Sequence, residues 1–187
     1  MTDLIPTTAF GTTTARTATH GALTLAEDVT TALAWVSPRK GGAVPAPMGL
    51  SLSGPGEWAG EGGASAIWMG PDQWLVLGGN RADGDFAAEI SAAAPECSVT
   101  EQTDGWVILD IQSTDGTEPI LTLLEKLVNL DPAVLAPGRA ARTRIEHLGV
   151  VVQRLAQDRL RVLGMRSAAE SLWQHLDLTM TRMAPVS

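Results

Sequence analysis

The chain has 187 residues, 44% of them hydrophobic and 18% charged, with a formal net charge of −8. That length allows one long domain or two fused halves, with a core that needs no covalent staple. Residues 1–100 carry 4 basic and 10 acidic side chains and residues 101–187 carry 9 and 11, which excludes the positive footprint of a nucleic-acid or anionic-membrane binder.

The lone cysteine, Cys97, has no partner for an internal disulfide or a Cys-x-x-Cys site. The opening MTDLIPTTAF lacks a basic, then apolar, signal pattern, and no run approaches ~20 apolar residues. The expected compartment is cytoplasmic. Six Trp, two Phe and no Tyr remove tyrosine as an acid or ligand and leave tryptophan as core or interface anchor.

Residues 1–19 are Thr-rich with few large apolar groups and read as a mobile arm. The run TALAWV (Thr31–Val36) reads as a strand. Arg39–Met48 is broken by two Gly and two Pro, a loop pattern, and Gly54–Gly63 reads as a second loop, one that carries Trp58. Ala64–Met69 and Trp74–Leu77 flank the turn Gly70-Pro71-Asp72-Gln73. A helix follows from about Asp85, with Phe86, Ile90 and Ala93 on one face and Pro95 as its stop.

Ser98–Gln102, the turn Thr103-Asp104-Gly105 and the apolar Trp106–Ile111 read as another hairpin. Thr117 caps a helix with Pro119 in its first turn and Ile120, Leu123, Leu124 and Leu127 as its buried stripe. Thr143–Leu155 reads as one long strand bent at Gly149, turned back at Gln157-Asp158 into Leu160–Leu163. Ser167 with Glu170 fits a capping box before a last helix that buries Ala169, Leu172, Trp173 and Leu176. DQWLVLG (Asp72–Gly78) recurs as DRLRVLG (Asp158–Gly164), each in a strand–turn–strand–helix setting. The fold class expected is therefore α+β: two related, ferredoxin-like halves with antiparallel sheets and packed helices. The domain plan is an arm over 1–19, then one domain over 20–187 with halves of about 20–96 and 97–178 and a short C-terminal tail.

Catalytic patterns are sparse. No Gly-x-Ser-x-Gly elbow or Gly-Lys-Ser/Thr phosphate loop occurs. Cys97 sits beside carboxylates that raise a thiol pKa, the reverse of a nucleophile's setting. His20, His147 and His175 share no metal-ligand spacing; His147, in a strand region, is the one worth watching. Gly54-Pro55-Gly56 and Gly60 match half of a dinucleotide fingerprint with the wrong spacing. Arg139, Arg142 and Arg144 form a basic cluster that could dock a small carboxylate, although Arg142 and Arg144, as alternate residues of a strand, read better as one solvated or interfacial face. Asp104, Asp110 and Asp115 are candidates for paired carboxylates, although Asp104 and Asp115 sit in turns where Asp is common. The reading assigns no catalytic, cofactor-binding or metal-binding residue to this chain.

The blocks GPDQWLVL (Gly70–Leu77), TDGWVILDI (Thr103–Ile111) and GRAARTRI, LGVVVQRL and RSAAESLWQHL within Gly138–Leu176 resemble, in order and spacing, the gamma subunit of heterotetrameric sarcosine oxidase. The resemblance covers about Ala26–Leu178. It implies a fold like the folate-binding domain of the glycine-cleavage T-protein and its aminomethyltransferase relatives. It also implies membership of an alpha–beta–gamma–delta complex that demethylates sarcosine to glycine, releases hydrogen peroxide and passes the one-carbon unit to tetrahydrofolate. FAD, FMN, NAD and tetrahydrofolate are then expected on partner chains and zinc on delta, with no cofactor on gamma. The Pro/Gly-rich stretch Arg39–Met48 departs from the pattern, where relatives have room for a helix. The equivalent subunit of an N-methylglutamate-type amine dehydrogenase, a free-standing folate-dependent aminomethyltransferase and a small-anion-binding module using Arg142 and Arg144 remain open.

Overall fold

The computed structural model describes residues 5–40, 46–61 and 63–184. Two antiparallel sheets pack face to face, with helices on both outer sides. The first sheet has the order β4 (Trp58–Glu61), β5 (Ala64–Gly70), β6 (Gln73–Gly78), β3 (Ala32–Pro38), β7 (Cys97–Glu101). The second runs β1 (Thr17–His20), β2 (Leu23–Glu27), β8 (Trp106–Ser113), β11 (Arg159–Met165), β10 (Leu148–Arg154), β9 (Ala140–Ile145). Helix α1 (Phe86–Ala93) covers the first sheet, and α2 (Glu118–Leu127) and α3 (Ala169–Met183) cover the second.

Burial alternates along the strands with their period of two. In β3, Ala32, Ala34 and Val36 face α1 with Phe86 and Ile90, while Leu33 faces the other sheet. In β8, Val107, Leu109 and Ile111 face α2 and α3, and Ile108 meets Leu33, Leu75 and Leu77 across the sheet interface. Central strands buried on both faces read as continuous apolar runs, as WLVL and WVILDI do.

The repeated motif has a structural counterpart. The meander β4–β5–β6 lies beside β3 as β9–β10–β11 lies beside β8, and a helix follows each meander. The closing glycine of each copy lets that helix approach. A Cβ on Gly78 would stand 2.6 Å from the Phe86 ring, and one on Gly164 would stand 2.7 Å from Leu172 Cδ2. Gly78→Ala should therefore destabilise the protein by about 2 kcal/mol in urea unfolding, because the rigid Phe86 ring is fully packed. Gly149→Ala is the control: nothing lies within 4 Å of its Cβ position, and no loss is expected.

Several sequence expectations change. Residues 5–16 are not a free arm. Thr8 is buried, and the Glu27 carboxylate accepts from the backbone N–H of Ala9 (2.8 Å) and Arg16 (3.2 Å). β1 then extends the second sheet at its edge, with His20 as its last residue. Trp58 does not lie in a loop. It opens edge strand β4, and its indole N–H donates to the Arg154 carbonyl at 3.1 Å. β7 and β8 are not a hairpin: β7 stays with β3 while β8 joins β2 and β11, so the chain changes sheets at the 3-10 turn Thr103–Gly105. The sheets therefore exchange strands across the expected 96/97 boundary.

The long strand over Thr143–Leu155 is two strands, joined by the two-residue turn Glu146-His147 with Glu146 at φ +52°. That turn lacks the glycine or asparagine that usually announces one. Ser167 does not cap α3. It lies in a 3-10 turn that leads into the helix, and Glu170 pairs instead with Arg16 and accepts from Gln174. Thr117 stands at the N-cap of α2, yet its hydroxyl donates to the Gln157 side chain. Between β3 and β4 the described residues form only a 3-10 turn, Pro47–Gly49; residues 41–45 lie outside the described residues. No helix among the described residues is long and apolar enough to cross a membrane.

Candidate functional site

A cleft of about 380 Å³ opens where the N-terminal segment crosses the ends of both sheets. That volume falls within the small-molecule range. Its walls are the segment around Thr7 and Thr8, the β2–β3 loop with Asp28 and Thr30, the loop after β6 with Asp83, and the turn carrying Asp104 and Trp106. The N-terminal wall is held from both sides. Glu27 accepts its backbone N–H groups, and Arg166 Nη2 donates to the carbonyls of Thr7 (2.9 Å) and Thr8 (2.8 Å). Sequence patterns gave little sign of this cleft. Glu27 and Arg166 are 139 positions apart and meet only through the fold.

The cleft is acidic. Glu27, Asp28, Asp83 and Asp104 line it against the one guanidinium of Arg166, which sits 3.6 Å from Asp104. Asp28 is locked by local chemistry. Burial opposes its ionisation, but the Thr31 hydroxyl, the Thr30 backbone and side chain, and Arg161 more than offset that and hold its carboxyl below the usual value. Arg161 lies between Asp28 (2.8 Å) and Asp110, which takes it at 2.6 and 2.7 Å. This array orders loops and strands, with the Asp28 carboxylate accepting five hydrogen bonds, from Thr30, Thr31 and Arg161.

The residues singled out from sequence do not converge. Cys97 is buried at the start of β7; burial pushes its thiol up, Arg39 partly offsets that and Glu96 adds to it. His20 Nε2 lies 2.8 Å from Asp177, and His175 Nδ1 lies 3.1 Å from Glu146, so both brace α3. His147 is exposed in the β9–β10 turn. No histidine lines the cleft. Gly54-Pro55-Gly56 leads into edge strand β4 instead of a helix, which removes the geometry of a dinucleotide loop. Asp104 reaches the cleft rim, Asp110 pairs with Arg161, and Asp115 is exposed before α2; they form no carboxylate pair. Arg139 pairs with Glu57 at 3.0 Å, Arg142 donates to the Met69 carbonyl at 2.9 Å, and Arg144 is exposed. Among the described residues, no three His, Cys, Asp or Glu side chains are grouped to hold a metal ion.

The architecture is that of the folate-binding-domain fold. It is similar to a chain of heterotetrameric sarcosine oxidase from Corynebacterium sp. U-96, in complex with pyrrole 2-carboxylate, with a TM-score of 0.74 and 22% identity over 91% of this chain and 89% of that one. It is also similar to glycine cleavage system aminomethyltransferase T from Bartonella henselae, with a TM-score of 0.57 and 16% identity over 84% of this chain. The match spans 46% of that enzyme, about half its length. No family model matches the sequence, and no curated protein matches it significantly. At these identities the likeness establishes the fold.

Proposed function

We propose that this chain is a non-catalytic, gamma-type subunit of a heterotetrameric sarcosine-oxidase-like complex. The observation that carries the reading is the two-sided match: 91% of this chain superposes on 89% of an oxidase chain, whereas it accounts for 46% of an aminomethyltransferase. A likeness that covers nearly all of the oxidase chain but less than half of the transferase favours the first role over the second. In this reading the chain stabilises alpha, beta and delta partners, and FAD, FMN, NAD and tetrahydrofolate reside on those partners in the cytoplasm. The equivalent place in an N-methylglutamate-type amine dehydrogenase differs only in the partner's substrate.

A free-standing folate or small-anion binder is the second reading, and the cleft is what favours it. Its lining fits a folate poorly: a folate's glutamate tail is anionic and would meet four carboxylates against one guanidinium. Co-purification of the tagged chain from its native cells tests the choice. Recovery with larger, yellow, flavin-bearing chains in fixed proportion supports the subunit. Recovery as a lone colourless monomer overturns it.

A further inference from the structure

We infer that the free edge of β9 docks an extended acidic segment of another protein chain. β9 is the terminal strand of its sheet and, among the described residues, pairs only with β10. Its outward backbone groups are fixed by alternation. The Arg154 N–H donates to the Arg139 carbonyl at 2.8 Å, toward β10, and the Ala140 N–H donates outward to the Gly56 carbonyl at 3.2 Å. Continuing that alternation turns the N–H and C=O of Arg142 and Arg144 to the free edge. The same two residues are exposed and project to one face of the strand. Arg142 donates to a backbone carbonyl, that of Met69, and Arg144 has no hydrogen bond or ion pair among the described residues.

The chain itself shows how such a segment binds. At the N-terminal end of the same edge, Glu57 forms an antiparallel bridge with Arg139 and places its carboxylate 3.0 Å from the Arg139 guanidinium. Beyond Ala140, no strand among the described residues pairs with this edge at Arg142 and Arg144. A partner strand with carboxylates two residues apart would extend the pattern. Backbone bonds would supply affinity, and the two Arg–carboxylate forks would supply selection. On a chain of net charge −8, this cationic strip also steers an acidic partner to one place. Edge arginines also protect strands from unwanted pairing; that role alone predicts no preference among approaching strands other than repulsion of cationic ones.

The inference holds whether or not the partner is a flavin-bearing chain, and its test is separate from co-purification. The full chain, isotope-labelled, is titrated with a blocked hexapeptide of alternating valine and glutamate, and with the same peptide bearing lysine for glutamate. The acidic peptide should slow amide hydrogen exchange at Arg142 and Arg144 by about tenfold at millimolar peptide and leave Thr143, already bonded to β10, unchanged. The lysine peptide should have no effect. Arg142→Glu/Arg144→Glu should reverse the preference, and Arg144→Glu alone, at an exposed side chain, guards against a folding defect in the pair. Equal protection by both peptides, protection at Thr143 alone, or no protection at Arg142 and Arg144 overturns the inference.

Discussion

Trp173→Ala should lower the unfolding free energy by about 4 kcal/mol, the largest loss expected from any single truncation here. Trp173 is 2% exposed in the middle of α3, packed with Leu172, Leu176 and Met180 against the second sheet. Its ring also meets Phe10 edge-on, with centroids 5.3 Å apart at 78°, and the Arg16 guanidinium lies 4.6 Å above it. Edge-to-face and cation–π contacts of this kind each add about 1 kcal/mol beyond burial. The truncation therefore removes core volume and the anchor of the N-terminal segment together. Urea unfolding should show the loss, and hydrogen exchange at the Ala9 and Arg16 amides should quicken as the cleft wall loosens. Leu178→Ala, on the same helix but 47% exposed, should change stability by less than about 0.5 kcal/mol. Equal losses at the two positions would contradict the packing described.

The second large effect is electrostatic. Arg161→Ala should cost about 3 kcal/mol at pH 7, because it strands two carboxylates that share one cation. The side chains of Arg161 and Asp28 are 14% and 13% exposed and that of Asp110 is 30% exposed, so water compensates only in part. The sign with pH follows from Asp28, whose carboxyl is held below its ordinary 3.8. A depressed folded value stabilises the protein above the unfolded pKa, and that contribution is lost as pH falls through the folded value. The wild-type protein should thus lose this contribution below about pH 4. In Arg161→Ala the largely buried Asp28 carboxylate loses its cation and gains from protonation, so the deficit should shrink between pH 7 and about pH 4.5. Denaturation curves at the two pH values check this, and a deficit independent of pH would assign the loss to packing instead.

Local features of the sequence proved legible where one segment settles its own conformation. The Gly70–Gln73 turn, the start of α1 near Asp85 (whose carboxylate accepts from the Ala88 N–H at 2.9 Å) and the apolar stripe of α2 each appear where the pattern placed them. The motif echo pointed to two equivalent meanders, and the structure explains the shared glycine by the helix packed on it. What misled were positions where a distant residue outcompetes a local rule. Glu170 fits a capping box by spacing, yet Arg16 takes its carboxylate. Residues 1–19 carry few large apolar groups and read as an arm, yet Glu27 and Arg166 bind the backbone of Thr7, Thr8, Ala9 and Arg16. Trp58 read as part of a glycine-rich loop, although it opens β4 and its indole reaches the Arg154 carbonyl across the sheet interface.

The sequence by itself determined the α+β class, the two-fold character, the buried faces of α2 and α3 and the acidic balance, because periodicity, turn chemistry and net charge act over short stretches or over the whole chain; on α1 it placed Phe86 and Ile90 correctly, but Ala94 is buried in place of Ala93. Only the tertiary structure decided which strand joins which sheet, and with it the cleft and the free β9 edge. Strand pairing depends on long-range register and on backbone groups that carry no side-chain signature: β7 and β8 are separated by one short turn yet lie in different sheets, and the Arg142 and Arg144 backbone is an edge because no strand among the described residues lies beyond β9 in its sheet.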